Sequence, residues 1–141
     1  MDRKAIATGS SNFIIHFPNA SPCGESVFGQ TAWRKSRSYI FERTSKKIYE
    51  DDLVYAFHDI NPVTPVHFLV IPKEHISGAN DIDESNSQIV AHIFEVIAKL
   101  AKEFDIDKSG YRIVNNCGED GGQTVHHMHF HVLGKKKLSW P

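Results

Sequence analysis

Residues 125–133 read VHHMHFHVL, and they hold four of the nine histidines of the chain (His126, His127, His129 and His131). The β-branched and aromatic content reads as a strand. Side chains on a strand alternate between faces, which predicts His127, His129 and His131 on one face and His126, Met128, Phe130 and Val132 on the other. Met128, Phe130 and Val132 are apolar and suit a core. Three imidazoles would then line an open surface.

Three readings compete for that surface. In the plainest, the histidines are polar residues of a solvent-facing strand, but imidazole is a poor strand former to repeat three times on one face. A metal site is the second, since a His-x-His pair can hold zinc. Yet at about 3.3 Å per residue, positions i and i+4 are roughly 13 Å apart, so three same-face histidines do not converge on one ion with bonds of about 2 Å. A metal would use two of them and ligands from elsewhere. The third is a nucleophilic site. Much neutral imidazole is present near pH 7, and an attacking histidine splits one hard displacement into two through a covalent intermediate. Phosphorus chemistry also needs neighbours that neutralise phosphate oxygens and protonate the leaving group. The preceding loop, 116–124 (NCGEDGGQT), supplies backbone amides at Gly118, Gly121 and Gly122, with Asn116 and Thr124 beside them.

Working outward, residues 53–58 (LVYAFH) and 66–71 (VHFLVI) read as strands, the second stopped by Pro72, with a proline-bounded turn at 61–65 between them. His67 shares a face with Leu69 and Ile71, either as a core histidine or as part of the site. His75 suits a turn or helix start. Ile89, Ile93, Val96, Ile97 and Leu100 recur at helical spacing, with Asp83 or Ser85 placed to cap the helix. A turn at 107–110 and a strand at 111–115 (YRIVN) follow. One long helix among strands that do not alternate as βαβ units predicts an α+β domain with a mainly antiparallel sheet.

At 141 residues the chain has room for one ordinary domain. Residues 1–38, rich in Ser, Gly and Pro, read as a loosely structured extension, with the folded unit at 39–141. Sixteen basic and 17 acidic residues leave a formal charge of −1, which argues against nucleic acid or an anionic membrane as partner. No apolar run approaches the roughly 20 residues that span a bilayer. Two cysteines, Cys23 and Cys117, make no disulfide framework, and a reducing, cytoplasmic setting is expected.

The motif His127-Met128-His129-Phe130-His131-Val132-Leu133 resembles the signature of the histidine triad (HIT) family. The segments AFHDINPVTPVHFLVIPKEHI (56–76), YRIVNNCGEDGGQTVHHMHFHVLG (111–134) and the terminal Ser139-Trp140-Pro141 resemble its Hint branch. The resemblance implies a five-stranded antiparallel sheet with one long helix and a short one. It also implies a homodimer whose sheets join into a ten-stranded one. The implied activity is hydrolysis of purine nucleoside 5′-phosphoramidates, with AMP and GMP as the nucleotides. His129 would attack the α-phosphorus, His127 and His131 would flank the phosphate, and His67 would support them. Phe57, His58, Asp59 and Ile60 would form the nucleoside pocket, with Asp59 on the ribose hydroxyls. Asn116, Gly122, Gln123 and Thr124 would hold phosphate, and Trp140 would reach toward the partner subunit's site. No cofactor is implied, and no metal is expected, because the cysteines that hold zinc in some bacterial relatives have no counterpart here. The same resemblance leaves two alternatives: a dinucleoside polyphosphate hydrolase or nucleotidyl transferase, and a nucleotide-binding regulatory protein with little turnover.

Overall fold

The computed structural model describes residues 46–140. The expected extension at 1–38, the start of the folded unit near Tyr39, and His16 and Cys23 lie outside them. Five strands, β1 (Lys47–Glu50), β2 (Val54–His58), β3 (Val66–Pro72), β4 (Tyr111–Val114) and β5 (Phe130–Gly134), form one sheet in the order β1-β2-β3-β5-β4. All four pairings are antiparallel. Between β3 and β4 come a 3₁₀ turn (Ala79–Asp81) and one α-helix, α1 (Ser87–Glu103). The α+β class and the five-stranded sheet expected from the sequence are both present.

Helix α1 forms because Ile93, Val96, Ile97, Leu100 and Ala101 fall on one stripe, and all five are buried. They pack on Val54, Ala56, Phe68, Val70, Phe130 and Val132 from the sheet. Ile93, Ile97, Leu100, Phe68, Val70 and Val132 are fully buried, each worth roughly 1.5–3 kcal/mol over exposure. The helix starts later than expected. The Asp83 carboxylate turns back on Ser85, accepting from its amide and hydroxyl, so it caps the preceding turn instead of α1. The end is a Schellman motif: Asp105 adopts a φ of 54°, its N–H reaches Lys102 O, and the Ile106 N–H reaches Ala101 O.

The opposite sheet face carries Tyr55, Phe57 and Ile71, with Leu69 against them. Alternation along β2 and β3 places these beside His67 and away from the helix.

The last strand differs from its expected extent. Residues 125–129 lie outside β5, which begins at Phe130. The His127 amide folds back onto Val125 O at 2.8 Å, and the Met128 amide bonds to Ile76 O at 2.7 Å. A tight turn and a pairing with the segment beyond β3 replace the expected ladder. Met128, Phe130 and Val132 are in the core, as the alternation predicted, whereas His126 is exposed. His127 does not stand on an open strand face; it is 3% exposed.

Candidate active site

Two neighbouring strands and one loop build the site. His131 on β5 pairs with Leu69, and His67 on β3 pairs with Leu133, so the two histidines are diagonal neighbours on the face away from the helix. Their Nε2 (His67) and Nδ1 (His131) atoms are 2.9 Å apart. His129, just before β5, meets His131 edge-on with ring centroids 5.2 Å apart.

His67, His129 and His127 each have a partner that can only give or only take a proton, and His131 follows from His67, so the protonation sites can be assigned. His67 Nδ1 accepts from the Val63 amide at 3.2 Å, which leaves the His67 proton on Nε2. That N–H donates to His131 Nδ1, so in neutral His131 the proton is on Nε2. His129 Nδ1 lies 2.8 Å from the His127 carbonyl and must donate to it. The neutral His129 ring therefore has its lone pair on Nε2. His127 Nε2 donates to Pro72 O at 2.9 Å, which leaves its Nδ1 as an acceptor.

Burial opposes charge on two of these rings. His131 is pushed down to about 4, first by desolvation and then by facing His129 and His67, with Asp59 opposing. His67 is lowered as well, by its burial, against the pull of Asp59. Neutral imidazole is thus the resting form of both at pH 7.

The Asp59 carboxylate, expected to face ribose hydroxyls, is turned toward the histidines. Its Oδ2 is 3.3 Å from His67 Nε2 and 3.9 Å from His131 Nδ1, and its Oδ1 accepts the Asn61 amide. Asp59, His67 and His131 are the described residues whose ligand atoms, all within 4.8 Å of one another, could surround a cation. In the present arrangement the His67 Nε2–H points at His131 Nδ1.

Phe57 lies on the histidine face, half a strand from His67. His58 points the other way: its ring meets Phe104 edge-on at 5.7 Å, beneath the sheet. Ile60 is exposed just past β2. In the glycine loop, Gly122 has a φ of 72°, and a Cβ on Gly121 would sit 2.3 Å from Cys117 O, so the tight path requires glycine at both. The loop is braced from within. Asn116 Nδ2 donates to Gly121 O. Gln123 Oε1 accepts the Gly118 amide, and its Nε2 donates to Ser77 O at 2.6 Å and Val125 O at 2.9 Å. Two side chains expected to hold phosphate are therefore struts of the loop, while Thr124 is exposed. Trp140 is 91% exposed, and Arg112 anchors the tail beside it by donating to Ser139 O.

Sequence reasoning missed His75. Its Nδ1 lies 3.1 Å from His127 Nδ1, and the two rings stack 16° from parallel with centroids 5.3 Å apart. The signal that could have found it is its place in the 56–76 segment that resembles the Hint branch.

A family model described as the HIT domain matches residues 41–138. An uncharacterized HIT-like protein of Buchnera aphidicola subsp. Baizongia pistaciae (strain Bp) is 47% identical over 95 residues, 67% of this chain and 85% of the relative. Among solved structures, a HIT family hydrolase from Legionella pneumophila Philadelphia 1 is similar at a TM-score of 0.68 and 40% identity, over 71% of this chain and 89% of that one. A histidine triad nucleotide-binding protein from Candida albicans is similar at 0.64 and 31% identity, over 74% and 80%. With the histidine cluster and this sheet order in hand, these matches establish that the chain belongs to the HIT domain family.

Proposed function

We propose that the protein is a Hint-type hydrolase of purine nucleoside 5′-phosphoramidates, cleaving the phosphorus–nitrogen bond through a covalent nucleotidyl-histidine. The observation that carries this reading is the fixed proton on His129 Nδ1, held by the His127 carbonyl, which leaves the Nε2 lone pair for attack. His129 Nε2 forms a bond to the α-phosphorus as the phosphorus–nitrogen bond to the amine breaks. The bridging nitrogen, protonated from solvent, departs as the amine, while the neutral His131 Nε2–H donates a hydrogen bond to a phosphate oxygen. Water then attacks the phosphorus, the phosphorus–nitrogen bond to His129 Nε2 breaks and the proton of the water passes to solvent, releasing the nucleoside monophosphate and restoring His129. His67 holds His131 in the required tautomer, and His127 flanks the phosphate.

The Thr124 amide and hydroxyl hold the phosphate beside Gly122, whose own amide, like that of Gln123, is taken within the loop by Glu119 O and Gly118 O, and the Asn116 and Gln123 side chains keep that loop in shape. Phe57, Ile60 and the backbone around His58 wall the nucleoside. Asp59 serves the ribose hydroxyls in this reading by sharing a carboxylate that also faces His67. AMP and GMP are the nucleotides, two copies form the working unit with Trp140 reaching toward the partner's site, and the setting is cytoplasmic. The hydrolase and nucleotide-binding names of the two solved relatives support the reaction class.

The test is turnover of an AMP-linked amine by the full chain and by His129→Gly. Wild type should hydrolyse it and, on rapid quenching, yield AMP attached to His129. The variant should lose at least about 10³-fold in kcat, as removal of a covalent nucleophile does, while still binding AMP. Undiminished turnover in the variant would remove His129 from the reaction. Diadenosine polyphosphates in the same panel separate this reading from a polyphosphate hydrolase.

A further inference from the structure

We infer that His75 is a positioning residue for the nucleophile, acting through His127; the inference rests on the proposed role of His129. The path is short. The His127 ring is buried and donates Nε2–H to Pro72 O, so its Nδ1 carries a lone pair that needs a donor. His75 Nδ1, at 3.1 Å, faces that lone pair, and because His127 Nδ1 is the acceptor, His75 must carry its proton on Nδ1. The nearly parallel stack of the two rings fixes the plane of His127 as well as its direction. The carbonyl of the same residue receives the His129 Nδ1–H. One residue thus joins His75 on one side to the attacking ring on the other.

Two further bonds tie these segments together, and neither involves the His127 ring. The Met128 amide donates to Ile76 O, and Gln123 Nε2 donates to Ser77 O. These hold the backbone of 123–128 against the 72–77 segment. They do not set the orientation of the His127 imidazole, whose two flipped forms have similar shape. The Pro72 carbonyl and the His75 N–H together select one. A ring free to flip loosens the Val125–Met128 turn, and with it the carbonyl that fixes the His129 tautomer. His75 touches neither phosphorus nor leaving group in this scheme, so its loss should slow the chemical step and spare substrate binding.

The experiment compares the full chain with His75→Phe, His75→Leu and His75→Asn. Phe keeps a flat ring for the stack without an N–H, Leu removes both, and Asn offers an amide N–H near the position of Nδ1. Two readouts are taken: steady-state hydrolysis of an AMP-linked amine, and 1H–15N spectra of the histidine rings with no substrate present. Both donorless variants should lose about tenfold in kcat, the value of roughly one hydrogen bond, with KM changed by less than about twofold. Asn should restore most of the rate. In the spectra the His127 Nε2–H should persist in every variant, because the Pro72 carbonyl requires it, while the His127 Nδ1 resonance should move toward that of a lone pair without a donor in the donorless variants and stay in place in His75→Asn. A kcat within about twofold of wild type in the folded donorless variants overturns the inference. So does a His127 Nδ1 resonance that stays in place when the donor is removed, or a rate loss that appears only where the melting temperature also falls. If wild type hydrolyses no phosphoramidate, the functional reading fails, and the ring spectra alone still decide whether His75 holds His127.

Discussion

A histidine normally stays protonatable near pH 6.5, and His131 does not, because its ring is enclosed and faces two other imidazoles. The consequence is a defined pH dependence. The folded-state value, about 4, lies below the unfolded 6.5, so the unfolded chain binds the proton more readily. Stability from this group is fully present above pH 6.5 and is lost as pH falls toward 4. The drop corresponds to on the order of 3 kcal/mol at most, since the ring keeps some contact with solvent. His67, lowered for the same reason, adds in the same direction. Urea unfolding from pH 7 to pH 4 should therefore show a falling midpoint in wild type and a shallower fall in His131→Gln. Equal slopes would mean that His131 is not kept neutral by its surroundings.

At the scale of elements, α1 is fastened to the start of the sheet by one polar cluster. His92 Nε2 lies 2.6 Å from Asp51 Oδ2, with Glu95 behind it at 3.4 Å. The Tyr49 hydroxyl donates to the same Asp51 oxygen, and Oδ1 accepts the Leu53 and Val54 amides. Asp51 is held at about 2 by His92 and these donors, in spite of desolvation; His92 is raised by its bond to Asp51. The Asp51 contribution is lost as pH falls from about 4 toward 2, and the His92 contribution as pH rises beyond 6.5 through its raised value. His92→Gln should accordingly cost about 1 kcal/mol near pH 5.5 and less near pH 9, read by urea unfolding at both. A cost that is the same at both pH values would assign the bond to shape and not to charge.

The legibility of these elements in the sequence followed the range of the forces that make them. Helix α1 was readable because its stripe of Ile, Val and Leu is a local pattern of period 3.6. So were β2 and β3, bounded by the proline turn. The last strand overran by five residues because period two says nothing about the turn that His127 makes back to Val125 O. For the site, the histidine motif and its glycine loop were legible from residue types alone. The partners that set the protons were not, since the Pro72 carbonyl meets His127 across 55 positions and His75 meets it across 52. Gln123 and Asn116 read naturally as ligand-facing amides; that they brace the loop depends on distances no spacing encodes.

For the whole molecule, the sheet order leaves β4 paired on one side only among the described residues, with β5. An unpaired strand edge is a template for a second copy. The proposed homodimer joins two such edges, which would turn two five-stranded sheets into one of ten. Sedimentation equilibrium should then give twice the chain mass of 15.9 kDa, and a proline at Ile113 should shift the population toward single chains. A monomer at micromolar concentration in wild type would remove the joined sheet from the proposal.

The same order sets how the site comes apart. His67 and His131 stand on β3 and β5, each flanked by strands on both sides, whereas Asn116 to Thr124 hang from an internally tied loop. Opening a central strand requires the whole domain to melt; lifting the loop breaks only a few bonds to residues 77 and 125. In the proposed reaction His67 and His131 thus stand on the permanent part of the fold and the anion-holding loop on a detachable part, so warming should abolish turnover reversibly well before the fold itself gives way.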